Sequence, residues 1–171
     1  MVNDPWLGRL IYDIDEFDEI WFSGRDKVRE YFYYEILGGD KSVFPSEEQS
    51  PWEEDEEIEN YDDEEDYMED EPEIEVPHLY QPTGNSCGPS CLKMIHDYFV
   101  GDRFKISDIC RACGTDWVVG TPPDRMIKGL KYMGIQYVEH MMEEDPYQSL
   151  KDSIDKGHPC IVRANVHGTP H

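Results

Sequence analysis

Basic residues are what this chain has least of for its size. Its 171 residues carry 15 Lys and Arg against 39 Asp and Glu, a formal net charge of -24. No Lys or Arg falls between Ser42 and Leu92. Phosphate binding needs clustered Lys and Arg, so nucleic acid is not the expected partner. Long apolar runs are also missing. None approaches the roughly 20 residues a membrane helix needs, so no membrane partner is expected either. The N-terminus lacks a basic stretch followed by an apolar one, and no secretion signal is read there. There are five cysteines, an odd number. Without a secretion signal the expectation is reduced thiols in the cytoplasm. No internal repeat is visible.

What is present is uneven. From Glu47 to Glu75, 18 of 29 positions are Asp or Glu, and outside that stretch 21 acids face 15 bases. Three regions follow from this. Residues 1–45 form an aromatic N-terminal segment with one helix. Residues 46–75 form an acidic linker, expected to be disordered. Residues 76–171 form a domain. In the first region Leu10, Tyr12 and Ile14 alternate with polar neighbours, which suggests a short strand. Ser23 is placed to cap a helix from Gly24 to Leu37, with Gly38-Gly39 ending it. The segment is too short for a large core of its own, so it is expected to pack on the following domain or on a partner. In the linker, like charges repel and few apolar groups offset the entropy of ordering. Two readings of it stand: a solvated spacer, or an electrostatic mask and docking tail for a basic protein partner.

The third region carries the clearest periodicity. Gly88 to Phe99 reads as a helix with Cys91, Leu92, Ile95 and Phe99 on one face. Ser107 caps a short helix that Gly114 ends. Thr121-Pro122-Pro123 opens another, with Met126, Ile127, Leu130 and Met133 inward and Gly134 at its end. Ile135 to Met141 reads as a strand. Asp145-Pro146 opens a helix that Gly157 ends, and Pro159 to Val166 reads as a strand. Helices come first and strands mixed with helices follow, an α+β pattern.

Cys87 is the candidate nucleophile. Thiolate is the reactive form, and the partial positive charge at a helix N-terminus favours it. Gly88 is expected to leave the approach to Cys87 open. Gln81, six residues earlier, offers a side-chain N–H that, with the backbone N–H of Cys87, suits an oxyanion formed in acyl transfer. The alternative is a buried cysteine in a turn before a helix. The run VPHLYQPTGNSCGPSCLKMIHDYF resembles the start of the papain-like cysteine peptidases that process double-glycine leaders of bacteriocins, and of their stand-alone relatives. GTPPDRMIKGLKYMGIQY resembles the middle of that family, and IDKGHPCIVRANVHGTPH its approach to the catalytic histidine. The likeness spans roughly residues 76–171. It implies a papain-like fold and a peptide or protein substrate, with no cofactor. Carried over by position, Cys87 is the nucleophile, Gln81 the oxyanion donor and His171 the general base, with His167 as the fallback. His158, beside Pro159 before the strand, reads as a turn residue, and His78, His96 and His140 as structural or exposed, since none falls where the family puts its base.

The family orients its histidine with an Asp or Asn on a later strand, and here the sequence ends at His171. The expectation is a fragment or truncated product, incomplete at the C-terminus, in which peptidase activity depends on completing the triad. The competing expectation is a catalytically incomplete peptidase fold that acts as a protein–protein interaction module. Two smaller features have double readings. Cys110-x-x-Cys113 suits zinc or redox chemistry only with further ligands or a βαβ setting, and otherwise reads as two small apolar groups on a helix. Gly38-Gly39 is a helix cap, or the end of a leader-like segment held in cis, where cleavage after Gly39 would require Cys87.

Overall fold

The computed structural model describes residues 2–5, 8–10, 17, 32–44, 74–141, 145–163, 165–166 and 169–170. The acidic stretch 45–73 and the candidate bases His167 and His171 lie outside the described residues. The disorder expected of the linker therefore lies outside them too.

A single strand from the first 45 residues organises the rest. β3 (Phe32–Gly39) is the middle strand of a three-stranded antiparallel sheet. β4 (Ile135–Met141) lies on one side and β5 (Cys160–Val162) on the other. Tyr33 and Tyr34 are 1% and 2% exposed and Ile36 is 0% exposed, so the strand is buried on both faces. The helix expected over Gly24–Leu37 is corrected here: from Phe32 on, the chain is a strand, and residues 24–31 lie outside the described set. Aromatic and β-branched side chains fit a pleated, doubly covered surface, and in a short apolar run period alone does not separate helix from strand. Gly38-Gly39 is likewise no helix cap but the last two residues of β3, paired with Gln136 and Ile135 past a register shift after Ile36. A Cβ on Gly39 would lie 2.6 Å from Val100 Cγ2, so glycine lets the strand end reach the helix behind it.

That helix is α1 (Cys87–Val100). α2 (Ile106–Cys113) and α3 (Pro123–Tyr132) pack with it on the same face of the sheet. Tyr34 and Ile36 from the sheet meet Leu92, Ile95, Phe104, Ile109, Leu130 and Met133 in one core cluster. Full burial of each such aliphatic or aromatic group contributes about 1.5–3 kcal/mol. α4 (Pro146–Asp155) covers the opposite face, where Tyr33 packs with Leu150 and, half-buried, Tyr147, Cys160 and Val162. The described residues thus form a mixed α+β structure with antiparallel pairing and helices on both sides of the sheet.

The ends of these elements have local causes. α4 begins as expected, with Asp145 Oδ1 accepting from the Gln148 N–H at 3.0 Å. α2 begins one residue before the expected cap. Lys105 is its N-cap and Ser107 lies inside the first turn, because burial of Ile106 (7% exposed) draws that residue into the helix. Gly114 ends α2 with φ at 63°, the left-handed cap glycine allows. The strand expected over Pro159–Val166 is shorter, and the chain goes on to a small hairpin of β6 (Asn165–Val166) and β7 (Thr169–Pro170). Near the N-terminus β1 (Val2–Asp4) pairs with β2 (Gly8–Leu10), while Tyr12 and Ile14 lie outside the described residues.

Candidate functional site

The turn before α1 is built by its own polar groups. Ser86 Oγ donates to Thr83 O at 2.9 Å and accepts from Thr83 N and Oγ1 at 3.1 and 3.0 Å. This hydroxyl, spent on Thr83, makes no side-chain cap on α1. The Gln81 N–H donates to Pro5 O at 2.7 Å, tying the turn to the end of β1.

Cys87 is the first residue of α1 and is half-buried. Burial pushes its thiol up, and hydrogen bonds from the backbone N–H of Gly88 and of Cys87 itself pull it down. The Asp4 charge pushes it up further, and the net result lies above the ordinary thiol value. The expected lowering is corrected: two backbone donors do not offset desolvation here. One turn on, burial and the charge of Cys87 push Cys91 up to about 12.

Gly88 does not hold a channel open, as expected from the sequence. A Cβ there would sit 2.7 Å from Met126 Sδ and 3.1 Å from Thr121 Cβ, so glycine lets the start of α3 close on the start of α1. The sheet reaches the same place through Tyr34, whose hydroxyl donates to Pro123 O at 2.7 Å. Gln81 Nε2 donates to Thr83 O at 2.8 Å, which uses one of its two N–H bonds. Its Oε1 is buried with no hydrogen-bond partner. Gln81 and Cys87 thus share one turn, with one amide N–H of Gln81 committed locally. β7 ends at Pro170, next to His171 in sequence.

A different constellation is fully described. Glu35 lies in β3 at 7% exposure, amid tyrosines and isoleucine. His158 Nδ1 donates to its Oε1 at 2.7 Å, and His140 Nε2 to its Oε2 at 2.8 Å. Burial alone would raise the Glu35 carboxyl; the hydrogen bonds from His158 and then His140 outweigh it and hold the group below its ordinary value. His140 also stacks on Tyr33, with ring centroids 4.4 Å apart. Burial, with the Glu35 charge, pushes Cys160 beside it up to about 12. One carboxylate thus ties β3 to β4 and to the residue two before β5. From sequence, His140 reads as structural or exposed and His158 as a turn residue, while Glu35 falls within the helix expected over Gly24–Leu37. The available signal was a lone carboxylate inside an aromatic run.

The Cys110 and Cys113 pair occupies the last turn of α2. Burial pushes Cys113 up to about 12, and its Sγ would lie 2.6 Å from a Cβ at Gly129. It fills a gap between α2 and α3. Among the described residues, no three His, Cys, Asp or Glu side chains converge to hold a metal ion. No helix among them is long and apolar enough to cross a membrane. Comparisons of the chain with protein-family models, curated proteins and solved structures gave no match.

Proposed function

We propose that the chain is of the papain-like cysteine peptidase type, with Cys87 as the nucleophile of acyl transfer on a peptide bond. The observation that carries this reading is the setting of Cys87 at the first residue of α1, the helix end where backbone N–H groups lack intrahelical partners and the dipole favours an anion. In the reaction, the thiolate attacks the peptide carbonyl. The second N–H of Gln81 and the backbone N–H of Cys87 bind the oxyanion, the amine leaves with a proton, and water resolves the thioester. Because burial holds the Cys87 thiol above its ordinary value, little thiolate exists at neutral pH without a base to take its proton. His171 is that base in this reading, on the strength of the family resemblance.

The test is alkylation of the full chain by iodoacetamide across pH, with hydrolysis of fluorogenic peptides alongside. Cys87 should label faster than the other four thiols. Cys87→Ala should abolish hydrolysis, and His171→Ala should lower it by roughly 10²-fold or more. Five equally slow thiols and hydrolysis indifferent to Cys87→Ala would sink the proposal. A second reading, the peptidase-like fold as a protein-binding module, draws on the same raised thiol, which is what a non-catalytic cysteine shows. The slow-labelling outcome is the one it expects.

A further inference from the structure

The start of the chain lies along the segment that leads to Cys87. Asn3 Nδ2 donates to Val76 O at 2.8 Å, and His78 Nε2 donates to Asp4 O at 3.0 Å. The Gln81 N–H donates to Pro5 O at 2.7 Å. Residues 3–5 and 76–81 therefore run side by side in the same direction. The β1–β2 hairpin holds on at a further point. A Cβ on Gly8, which has φ 94°, would lie 3.0 Å from the Tyr80 hydroxyl, and Tyr80 is itself edge-on to His78. Asp4 is 7% exposed, and its charge acts on the sulfurs of both Cys87 and Cys91. Among the described residues, Asp4 from β1 and Cys91 from α1 are the titratable groups that act on Cys87; Met126 and Thr121, packed at Gly88, add no charge.

This contact works against a reactive Cys87. A carboxylate near a thiol disfavours the thiolate, which is the form that attacks. The contact is also unfinished. Asn3 and Gln81 both bond across it, yet Asn3 Oδ1 and Gln81 Oε1 are buried with no hydrogen-bond partner. Water bonds both oxygens once the two segments part, so opening recovers part of what it loses. Val76 O and the Gln81 N–H are backbone groups, which an extended peptide of any sequence can bond in place of residues 3–5.

We propose that residues 3–5 are an inhibitory strap on the Cys87 site, docked on residues 76–81 in the resting chain and displaced by an extended peptide substrate. The strap covers the thiol and takes no part in bond making. This rests on the reading of Cys87 as the nucleophile, and the experiment separates the two.

Labelling of each thiol by iodoacetamide is followed by mass spectrometry across pH, in the full chain and in two full-length variants. Asp4→Asn removes the charge and keeps the shape. Asn3→Ala with Gly8→Ala removes one bond across the contact and strains the hairpin that holds it. In Asp4→Asn the pH midpoint of Cys87 labelling should fall, and the rate at neutral pH should rise about threefold or more. The double variant should raise the Cys87 rate by about the same factor. Cys113, buried between α2 and α3, should label as slowly as before in both. Hydrolysis of fluorogenic peptides by either variant should show a lower KM with kcat changed by less than about twofold, because the strap and the substrate compete for one place.

Cys87 labelling unchanged in both variants overturns the strap. So does a rise that Cys113 shares, or loss of near-UV circular dichroism in Asp4→Asn, since residues 3–5 would then support the fold rather than cover a thiol. A higher kcat at constant KM overturns it as well. If Cys87 is the fastest of the thiols in the parent chain and neither variant changes it, the strap falls and the nucleophile stands. If the variants quicken Cys87 labelling but no form shows hydrolysis that depends on Cys87, the nucleophile falls and the strap stands as a cover on that thiol.

Discussion

His96 sits mid-way along α1 with none of its side chain exposed, edge-on to Phe104 at 4.8 Å between ring centroids. Neither ring nitrogen has a hydrogen-bond partner; Asp97 Oδ1 comes within 3.5 Å of Nδ1 without making one. A buried polar group left unpaired costs about 1–3 kcal/mol. His96→Leu keeps the volume roughly and removes the unpaired nitrogens, so it should be neutral or stabilise the fold by about 1 kcal/mol. A denaturant titration reads this directly, and a lower midpoint for the variant would show that the imidazole does have a partner. At this scale Cys87 was legible in the sequence, because a Gly-Pro step after a cysteine marks a helix start whatever packs around it. The state of its thiol was not. That depends on how much water Met126, Thr121 and the rest of the fold remove from it.

At the level of elements, β3 is where reading the sequence and folding it parted. The helix expected over Gly24–Leu37 takes in Tyr33, Tyr34 and Ile36, yet these side chains lie between two strands and two helical layers. Only pairing with β4 and β5, more than 90 residues away in sequence, decides in favour of the strand. The ends of α3 and α4 were legible because proline and glycine act locally. The Glu35 clamp was not, since His140 and His158 meet it through strand register. It carries a pH dependence with a definite sign. The Glu35 carboxyl lies below its ordinary value in the folded chain. Its contribution is therefore complete above pH ~4.3, the ordinary Glu value, and is lost as pH falls through the lower folded value. Glu35→Gln should cost on the order of 1–3 kcal/mol near pH 6. The gap between it and the parent chain should close as pH drops below ~4.3. Chemical denaturation of both proteins across pH 3–7 (roughly the window where Glu titrates) checks this. A gap constant over that range would mean that the carboxylate charge does not hold the sheet.

For the whole molecule, the boundary drawn at Val76 runs through one sheet. β3 belongs to residues 1–45, and both of its partners lie beyond residue 134. A fragment of residues 76–171 would leave β4 and β5 without the strand between them. It would also uncover the core where Tyr34 and Ile36 meet Leu92 and Ile109. Such a fragment should lack cooperative unfolding and near-UV circular dichroism, while the full chain shows both. A fragment that melts cooperatively would show that β3 is an accessory to a self-sufficient domain. The same geometry bears on the leader-like reading of Gly38-Gly39, because cleavage after Gly39 would cut the chain at the end of a paired central strand.

The sequence by itself determined what depends on near neighbours and on composition. It marked the start of α1 to within a residue, at Gly88 against Cys87, the proline and glycine limits of the later helices, the strand at Ile135–Met141 and the concentration of net negative charge in one stretch. Capping, backbone stereochemistry and charge density act over a few residues and can be read in order. The tertiary structure alone decided that β3 is a strand at the centre of the sheet, that Glu35 gathers two distant histidines, and that residues 3–5 lie along the segment leading to a desolvated Cys87. Each of these is a meeting of residues more than 70 positions apart, and such meetings are set by register and packing, which no local pattern encodes.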